Sequence, residues 1–444
     1  MSRATGRLHE LGVNEPTPVQ LAAIPEVLKG GNIAIQSYTG SGKTLAYLLP
    51  VLSRAIQLAE AEFEALFKAK RVHEAGQVQA IVVVPSRELA MQIVRVAQGL
   101  LPPEAKGTVQ QCIGGANPGR QADALKANKP VLVVGTPGRL AELSRAGRLQ
   151  THNCPILVLD EVDQLLAPQF REEMTRLTQH VGKRVTPQRQ TVIVSATLTP
   201  KVLTASQGWC PDPERMFVSV QQRQHAPSPG PGTGQERWGW DAAARTAVAS
   251  SSAGGVGTSD MIPEMPPQLD HTFIMTNRRH RVDTLRRCIH ALDAQRVLVF
   301  MNFQQRLQDT QAKLGASGMK VGALHGDMDK AQRQSTMAAF RRGDFRALIV
   351  SDVAARGLDF EKCDAVFNLE LPSDAAHYAH RAGRTGRIGR QGTVVSLVET
   401  NERFVVDKLA KRLNVRIPEA EVAGGRYMLV PEGKLDWSEV RRGS

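Results

Sequence analysis

The stretch Ile33–Thr44, IAIQSYTGSGKT, joins an apolar run to a glycine-containing turn and then to a lysine and a threonine. Gly40 and Gly42 allow the backbone to turn tightly, so that backbone amides and the start of the following helix point at an anion. Lys43 adds a charge that can reach the outer phosphates of a nucleotide. This order predicts a strand, a phosphate-binding loop and a helix, although a bare TGSGKT also occurs by chance in turns.

Further short apolar runs in the first half of the chain end in polar clusters. They have the length and composition of strands buried in a parallel sheet. Because the carboxyl ends of such strands form the ligand crevice of an open α/β sheet, we expect these clusters to lie beside the phosphate-binding loop. The runs are Ala80–Val84 before Pro85, Val131–Val134 before Gly135–Arg139, Ile156–Leu159 before Asp160–Asp163, and Thr191–Val194 before Ser195–Thr197.

The same pattern resumes after a segment rich in Pro, Gly and Ser, residues 221–267, which we interpret as a flexible linker. The predicted fold class is therefore α/β, with an N-terminal lobe of residues 1–220, a C-terminal lobe of residues 268–415 and a tail of residues 416–444. The strands predicted in the second lobe are Val297–Phe300, Val321–Leu324, Ala347–Val350, Ala365–Leu369 and Thr393–Val398. The predicted helices are Leu21–Lys29, Leu45–Leu58, Thr284–Leu292, Lys330–Arg341 and Asn401–Leu413.

The composition narrows the class of protein. A chain of 444 residues is too long for one ordinary core. Its net charge of +13 fits a polyanion partner, although a solvated basic surface explains the charge equally well. Five cysteines without a CxxC pair favour reduced thiols and argue against a zinc site. With no apolar run near the roughly 20 residues that span a bilayer, we expect a soluble intracellular protein without a membrane partner.

Two neighbouring carboxylates, Asp160 and Glu161, follow one of the predicted buried strands. A carboxylate at this position can hold Mg²⁺ while its neighbour orients and deprotonates the water that attacks a γ-phosphate. Two adjacent acids are common in surface turns, but here they accompany a phosphate-binding loop upstream. The combination predicts a nucleotide triphosphatase.

Two short segments suggest further contacts to the nucleotide. Pro16 and Pro18 stiffen the backbone around Thr17 and place Gln20 as a fixed hydrogen-bonding group, complementary to an adenine edge. Far downstream, residues 380–387 read HRAGRTGR. The regular spacing of its arginines would allow one of them to contact a phosphoryl transition state, and such an arginine raises the rate by about 10³ to 10⁵. The alternative is a basic surface that attracts phosphate or RNA without specificity.

In this order, the motifs resemble those of the DEAD-box family of superfamily 2 ATP-dependent RNA helicases over nearly the whole chain. In the first lobe the resemblance rests on GVNEPTPVQ (12–20), SYTGSGKT (37–44), PSRELA (85–90), Gly114–Gly115, TPGR (136–139), DEVD (160–163) and SAT (195–197). In the second lobe it rests on Phe300–Asn302, SDVAARGLD (351–359) and HRAGRTGR. The resemblance implies two RecA-like lobes that close around ATP and Mg²⁺ when RNA binds.

The resemblance also assigns roles to the matching positions. The residues implied to bind ATP are Thr17, Gln20, Thr39, Gly40, Ser41, Gly42, Lys43, Thr44 and Asp359, and those implied to hold Mg²⁺ are Thr44 and Asp160. The implied catalytic residues are Lys43, Asp160, Glu161, Arg384 and Arg387. Asp163, Ser195, Thr197 and His380 are implied to couple the nucleotide state to closure. The implied contacts to the RNA backbone are Pro85, Arg87, Gly115, Thr136, Gly138, Arg139, Arg333 and Ser351.

Several positions depart from the family's pattern. Ser37 stands where the general phosphate-loop pattern has glycine and the family usually has alanine. Val162 replaces the alanine of DEAD, so we expect local repacking and retained activity. Ser86 and Ser351 stand where threonine is usual and keep its hydroxyl, and Lys330 replaces a glutamine.

The resemblance predicts an RNA-stimulated ATPase that unwinds short RNA duplexes or remodels ribonucleoprotein, with little sequence specificity. An ATP-gated RNA clamp and, less favoured by the motifs, a DNA translocase remain as alternatives. We expect a monomer, and the sequence does not identify protein cofactors. Arg3 stands where the family has an adenine-stacking aromatic, so either nucleotide selectivity is relaxed or the chain begins further upstream. The spelling QSYTGSGKT (36–44) together with DEVD resembles that of plastid-type members of the family. If the N-terminus is truncated, we expect a location in the chloroplast, and otherwise in the cytoplasm or nucleus.

Overall fold

The computed structural model describes residues 7–9, 13–71, 76–186, 188–211, 214–217, 265–266, 268–303, 306–355, 360, 363–386 and 390–431. The chain forms two compact units that divide between residues 264 and 265. Each unit is built on a parallel β-sheet with helices in its connections, as expected of α/β crossovers.

The first unit contains a seven-stranded sheet in the order β3-β4-β2-β5-β6-β1-β7. Its strands are β1 (Ile33–Gln36), β2 (Ala80–Val83), β3 (Val109–Cys112), β4 (Leu132–Gly135), β5 (Ile156–Asp160), β6 (Gln190–Ser195) and β7 (Glu214–Phe217). Its α-helices are Pro18–Lys29, Lys43–Lys68, Arg87–Leu100, Pro118–Asn128, Pro137–Arg145, Val162–Leu165, Arg171–His180 and Pro200–Ser206, and its 3₁₀ helices are Pro103–Thr108 and Pro168–Phe170.

The register of the central strands brings their carboxyl ends together. Gln36, the last residue of β1, pairs with Ser195 at the end of β6. Asp160, the last residue of β5, pairs with Val194 on the other side of β6. The central strands are buried along their whole length, which explains their β-branched and aliphatic composition. Polar residues that follow β1, β5 and β6 therefore meet at one edge of this sheet.

The second unit contains a six-stranded parallel sheet in the order β10-β11-β9-β12-β13-β8. Its strands are β8 (Leu269–Met275), β9 (Val297–Met301), β10 (Val321–Leu324), β11 (Ala347–Ser351), β12 (Ala365–Asn368) and β13 (Gly392–Val398). An antiparallel hairpin follows, made of β14 (Ala420–Ala423) and β15 (Arg426–Leu429). The helices of this unit are Arg281–Ala291, Leu307–Ala316, Lys330–Arg342, Asp352–Ala355, Ala375–Ala382 and Arg403–Leu413, with a 3₁₀ turn at Thr400–Glu402.

The predicted fold class is confirmed: two α/β units each carry a parallel sheet. Each predicted buried strand agrees with an observed strand to within one residue at either end. The edge strands β3, β7 and β8 were not predicted, because their sequences lack a continuous apolar run. The predicted linker lies almost wholly outside the described residues. The range predicted as a tail contains the β14–β15 hairpin.

Two further expectations bear on the interior. All five cysteines are buried and carry free thiols, as expected of reduced core residues. Val162 is fully buried in the core of the first unit, where its two additional methyl groups pack. In the described part of the chain, the helices are too short or too polar to traverse a lipid bilayer.

Candidate nucleotide and RNA sites

The loop between β1 and the helix Lys43–Lys68 has the backbone that a phosphate cradle requires. Gly40 and Gly42 have φ angles of 88° and 95°, in the left-handed region that favours glycine. A Cβ atom on Gly42 would stand 2.6 Å from the Nε2 atom of Gln20 and 3.0 Å from the Oγ1 atom of Thr17. Glycine at position 42 therefore lets the loop pack directly against the Thr17–Gln20 segment. Thr39 and Ser41 lie in the same loop, and Thr44 lies in the first turn of the helix.

Lys43 extends across the inside of this loop. Its ammonium group donates to the backbone carbonyls of Ser37, at 2.5 Å, and Tyr38, at 2.8 Å. The hydroxyls of Ser37 and Ser41 are buried, and neither has a hydrogen-bond partner among the described residues. Buried polar atoms are normally satisfied, so these two hydroxyls indicate a site that is completed by a polar ligand.

Gln20 connects the segment before β1 to the phosphate loop. Its side-chain oxygen accepts from the backbone N–H of Thr17 at 3.0 Å, and its amide nitrogen donates to the carbonyl of Gly42 at 3.2 Å. The side chain is buried, with 4% of its surface exposed. Gln20 therefore fixes the position of the loop through hydrogen bonds to the protein itself, and its predicted contact to adenine stays a prediction.

Asp160 lies at the carboxyl end of β5 and is 5% exposed. The phenol of Tyr47 donates to its Oδ2 atom at 2.9 Å, and the backbone N–H of Glu161 donates to its Oδ1 atom at 2.9 Å. Burial raises the pKa of Asp160, while the bond from Tyr47 and the charge of Lys43 oppose that rise. Tyr47 belongs to the helix that follows the phosphate loop, so this contact ties that helix directly to the carboxylate.

Glu161 adopts a left-handed backbone conformation, with φ 54° and ψ 50°. Residues with a side chain rarely occupy this region, and such strain is concentrated at functional sites. The conformation ends β5 abruptly and starts the short helix Val162–Leu165. It thereby separates the direction of the Glu161 side chain from that of Asp160.

The residues beside the loop fit a magnesium ion. Asp160 and Thr44 offer a carboxylate and a hydroxyl, the hard oxygen donors that Mg²⁺ prefers. Burial raises the pKa of Asp160, and a bound cation would offset the buried negative charge of its carboxylate. Among the described residues, no group of three or more acidic, histidine or cysteine side chains forms a metal cage. Mg²⁺ commonly binds through one or two carboxylates together with substrate phosphates, so this donor set is sufficient.

Asp163, Ser195 and Thr197 form a hydrogen-bonded cluster beside Asp160. The hydroxyl of Ser195 donates to Asp163 Oδ1 at 2.6 Å, and that of Thr197 donates to Asp163 Oδ2 at 3.1 Å. The backbone N–H of Thr197 also donates to the Ser195 hydroxyl at 3.0 Å. The structure thus brings together three of the four residues predicted to couple nucleotide state to closure.

Five of the six residues of the first unit that were predicted to bind RNA lie at the starts of two helices. Pro85 precedes the helix Arg87–Leu100, whose first turn is capped by the Ser86 hydroxyl accepting from the Leu89 amide at 3.2 Å. Thr136 is the N-cap of the helix Pro137–Arg145. Exposed amides and the helix dipole make such positions favourable for phosphate oxygens.

The guanidinium group of Arg87 lies against the Gly114–Gly115 turn, and that of Arg139 bonds to the carbonyl of the next residue, Ala116. A Cβ atom on Gly115, whose φ is 74°, would stand 2.4 Å from the Nη1 atom of Arg87. Arg139 is buried, donating to the carbonyl of Ala116 at 3.0 Å and pairing with Glu142 at 2.9 Å. Arg87 is exposed, whereas Arg139 is buried and holds the end of the turn through the Ala116 carbonyl. Gly138 has open space around it.

In the second unit, Arg333 and Ser351 meet at one short helix. The Nη2 atom of Arg333 donates to the carbonyl of Ala354 at 2.6 Å, and the Ser351 hydroxyl accepts from the Ala354 amide at 3.3 Å. Serine is therefore sufficient for the capping role of this hydroxyl. The Lys330 side chain lies outside the described residues.

Arg381 is an arginine of the HRAGRTGR motif whose role the sequence did not reveal. It is 1% exposed, and its guanidinium donates to both carboxylate oxygens of Asp352, at 2.7 and 2.6 Å. Further bonds reach the Asn302 side chain at 2.6 Å and the carbonyl of Glu370 at 2.8 Å. The same group lies over the ring of Phe300, 5.2 Å from its centroid. Arg381 therefore joins three motifs of the second unit and is structural.

Arg384 follows on the turn after the helix Ala375–Ala382 and is also buried. Its backbone N–H donates to the carbonyl of Arg381 at 3.0 Å, and the next hydroxyl, Thr385 Oγ1, donates to the Cys363 carbonyl at 2.7 Å. His380 lies within the helix. Two predicted site residues, Arg387 and Asp359, lie outside the described residues.

Tyr47 and Arg381 were missed because their contacts join residues far apart in the sequence. Tyr47 lies four residues after Lys43 on the same helix, so helical periodicity could have placed it on the face that carries the lysine. For Arg381, the available signal was a charged residue between the apolar positions of a short amphipathic helix.

Comparisons with known proteins agree with this arrangement. The DEAD/DEAH box helicase family model matches residues 17–205, and the helicase conserved C-terminal domain matches residues 280–389. The DEAD-box ATP-dependent RNA helicase 47, mitochondrial, of Arabidopsis thaliana is 45% identical over 441 residues, which are 96% of this chain and 77% of that protein. The helicase 47A of Oryza sativa subsp. japonica is 46% identical, over 97% of this chain and 75% of that protein. The chain belongs to the DEAD-box helicase family.

A solved structure also supports the fold. The chain is similar to S. cerevisiae Dbp5 bound to RNA and ADP BeF3, with a TM-score of 0.71 and 24% identity over 99% of this chain and 95% of that one. At this identity, the likeness concerns the fold, and it agrees with the two RecA-like lobes that the sequence predicted.

Proposed function

We infer that this chain is an ATP-dependent RNA helicase, in which RNA stimulates ATP hydrolysis and hydrolysis drives local remodelling of RNA. Membership of the DEAD-box family supports this function. Within the molecule, the observation that carries it is the bond from Tyr47 to Asp160, because it sets the phosphate loop and the acidic strand end side by side. A cradle for phosphates and a carboxylate for a cation together form a triphosphate site.

In the proposed mechanism, Gly40, Gly42 and Lys43 hold the β- and γ-phosphates, while Thr44 and Asp160 hold Mg²⁺. The ion supplies charge neutralisation at the phosphates when it is bound. Glu161 orients the attacking water and accepts its proton, aided by a backbone conformation that turns it away from Asp160. Lys43 can exchange its bonds to the loop carbonyls for bonds to phosphate oxygens, because an ammonium group rotates freely among acceptors.

The second unit is proposed to contribute arginines to hydrolysis. Arg384 and Arg387 are the candidates, because Arg381 of the same motif is fully engaged within the second unit. Coupling between nucleotide state and RNA is assigned to Asp163, Ser195, Thr197 and His380. RNA is proposed to contact both units. Because hydrolysis is proposed to need residues of both units as well, RNA binding should stimulate the ATPase reaction.

RNA is proposed to bind through its phosphates and 2′-hydroxyls, which provides preference for RNA without reading of sequence. The contacting residues of the first unit are proposed to be Arg87 and the starts of the helices Arg87–Leu100 and Pro137–Arg145. Arg139 is proposed to act by holding the Gly114–Gly115 turn, and Arg333 and Ser351 serve the second unit.

Phosphate release measured with and without RNA tests this function. We expect RNA to stimulate release by the wild-type chain, and Lys43→Ala or Glu161→Gln to remove most of the stimulated rate. Retention of ATP binding by Glu161→Gln would separate hydrolysis from binding. Unchanged release in both variants would contradict the proposed site.

Strand separation of short blunt and tailed duplexes tests the coupling. We expect unwinding of RNA duplexes with ATP and little unwinding without it. Stable RNA retention with ATP but no strand separation would identify an ATP-gated clamp. Equal stimulation of ATPase activity by DNA and RNA would favour a DNA translocase.

The oligomeric state and the cellular location are also proposals. We propose that the free protein is a monomer, which sedimentation velocity at micromolar concentration tests. The Arabidopsis relative is named as a mitochondrial protein. This name supports a location in an organelle, and a fluorescent fusion of the full-length gene product tests it.

A further inference from the structure

The helix Arg403–Leu413 has two distinct faces. Val406, Leu409 and Leu413 are buried and attach the helix to the second unit. The opposite face carries Phe404, which is 68% exposed. The exposure of one apolar side chain is ordinary by itself, so the neighbours of Phe404 on this face decide whether the ring has a role.

Cations surround this ring on the same face. Lys408, Lys411 and Arg412 are exposed and follow Phe404 at four, seven and eight residues, the spacing of neighbours along one side of a helix. The four side chains, with Asp407, line an open groove with a volume of about 470 Å³. From Phe404 to Arg412 the helix rises about 12 Å, enough for a few nucleotides.

This face carries one carboxylate, Asp407, against the three cations. Asp407 lies 3.7 Å from Arg403, whose guanidinium also pairs with Glu419 at 3.2 Å and lies over the Phe273 ring. The groove therefore presents a net positive charge beside an aromatic face. Aromatic rings for base stacking and cations for phosphates are the two components of a single-strand binding surface.

The helix also lies at a suitable place in the fold. It follows β13 through the turn Thr400–Glu402, so its first residues start from the carboxyl edge of the sheet. Arg281 fixes this turn through pairs with Glu399 at 3.1 Å and Glu402 at 2.6 Å. Ser351 ends β11 at the same edge of the same sheet.

We propose that Phe404, Lys408, Lys411 and Arg412 form an additional binding surface for single-stranded RNA, in which one base stacks on Phe404 and the cations contact adjacent phosphates. The proposal rests on the RNA helicase function proposed above. It adds a contact outside the motifs of the second unit, which lengthens the RNA segment held by that unit and strengthens binding of long RNA over short RNA.

Fluorescence anisotropy with the full chain and a non-hydrolysable ATP analogue tests this surface, using a labelled oligouridine of about 20 nucleotides and one of about 6, since a single-strand site of this kind spans about 4–16 nucleotides. Phe404→Ala should raise the Kd for the longer RNA about fivefold or more, and Phe404→Trp should restore it, since stacking is worth about 1–3 kcal/mol per base and indole stacks at least as well. Lys408→Glu with Lys411→Glu should lower the slope of log Kd against log salt by about 1.4, from roughly 0.7 per phosphate contact.

Matched variants provide the controls. Leu429→Ala removes another exposed apolar side chain of the second unit, and Lys313→Glu with Lys320→Glu reverses two exposed charges elsewhere in it. Neither should change the Kd for the longer RNA appreciably. In the Phe404→Trp variant, the added tryptophan fluorescence should be quenched by the longer RNA, which reports direct contact with RNA.

Each outcome decides the proposal. It would be overturned if Phe404→Ala matched Leu429→Ala in RNA affinity, or if Trp failed to restore binding. A lower melting temperature of Phe404→Ala with unchanged affinity would also overturn it, by showing that the ring packs against protein. If RNA failed to stimulate the wild-type ATPase, the proposed helicase function itself would fail, whereas stimulation without an effect at Phe404 would reject this surface alone.

Discussion

At the scale of single residues, the contacts of Tyr47 and Arg381 explain features of the molecule that the sequence motifs alone do not. Tyr47 is fully buried, and its hydroxyl donates to Asp160 beside the phosphate loop. A phenylalanine would fill the same space, so the hydroxyl matters through this bond. We regard Tyr47 as a positioning residue, because it acts on the reaction through the carboxylate that it orients.

Tyr47→Phe should weaken magnesium binding and slow hydrolysis with little effect on folding. A hydrogen bond to a charged group is worth about 1.5–3 kcal/mol, so we expect roughly a tenfold or greater rise in the half-saturating Mg²⁺ concentration. Titration of Mg²⁺ against binding of a fluorescent ADP measures this effect without catalysis. An unchanged Mg²⁺ requirement, with the wild-type melting temperature, would show that Tyr47 only fills space.

Arg381→Ala should destabilise the second unit by about 3–5 kcal/mol, because it leaves the partly buried carboxylate of Asp352 and several other acceptors without their donor. Thermal unfolding followed by circular dichroism measures this loss. Arg390→Ala is the matched control, since Arg390 is exposed and stands nine residues further along the chain. Equal melting temperatures for the two variants would contradict the structural role of Arg381.

At the scale of secondary-structure elements, the sequence predicted those strands and loops that a local pattern of residues determines. The buried strands and the polar residues at their ends were predictable, because a run such as Ile156–Leu159 has one stable location, the interior of a parallel sheet. The loop of Gly40 and Gly42 was predictable for a similar reason, since its glycines are required by the backbone. The edge strands β3, β7 and β8 were not predicted, because their sequences contain no continuous apolar run.

The residues of the candidate site likewise fall into a predictable group and an unpredictable one. Lys43, Asp160 and Glu161 were identified from their position after strands, and the structure places them as predicted at the edge of one sheet. The burial of Arg139 and Arg381 was not predictable, because it depends on acceptors contributed by distant segments. A motif shows that an arginine is required and does not show whether it faces a ligand or the protein.

The Gly114–Gly115 turn provides a test at this scale. Gly115→Ala should raise the half-saturating RNA concentration about tenfold, because its methyl group would displace the guanidinium of Arg87. The backbone strain of alanine in a left-handed conformation also costs about 1–2 kcal/mol of stability.

Gly147→Ala separates these two effects. Gly147 has a similar φ of 66°, but nothing lies within 4 Å of the added methyl group. It should therefore lose stability to a similar degree while RNA-stimulated ATPase activity keeps its wild-type RNA dependence. If both variants raised the required RNA concentration equally, strain rather than Arg87 would be responsible.

At the scale of the whole molecule, the chain is two folded units that each have their own buried cluster. The two units carry different functional groups. The first unit carries the phosphate loop, Asp160 and Glu161, whereas the second carries the arginine motif and a buried histidine. Conditions that destabilise only the second unit should therefore abolish RNA-stimulated hydrolysis while nucleotide binding by the first unit persists.

His271 makes the second unit sensitive to acid. Its Nδ1 atom lies 3.1 Å from the Tyr378 hydroxyl, and its Nε2 atom is buried without a hydrogen-bond partner among the described residues. Burial lowers the pKa of His271 to about 4. The unfolded chain takes up this proton below about pH 6.5, so between about pH 6.5 and 4 it binds more protons than the folded chain does. The free energy of unfolding should therefore fall with decreasing pH, by up to about 1.4 kcal/mol per pH unit in this window.

Thermal unfolding between about pH 7.5 and 4.5, compared for the wild type and His271→Gln, measures this contribution. Carboxylates titrate in both proteins, so the difference between their pH profiles isolates the histidine. We expect the melting transition of the second unit, identified as the one that Arg381→Ala lowers, to fall less steeply with pH in His271→Gln. Parallel profiles would mean that His271 takes up its proton in the folded state as readily as in the unfolded chain.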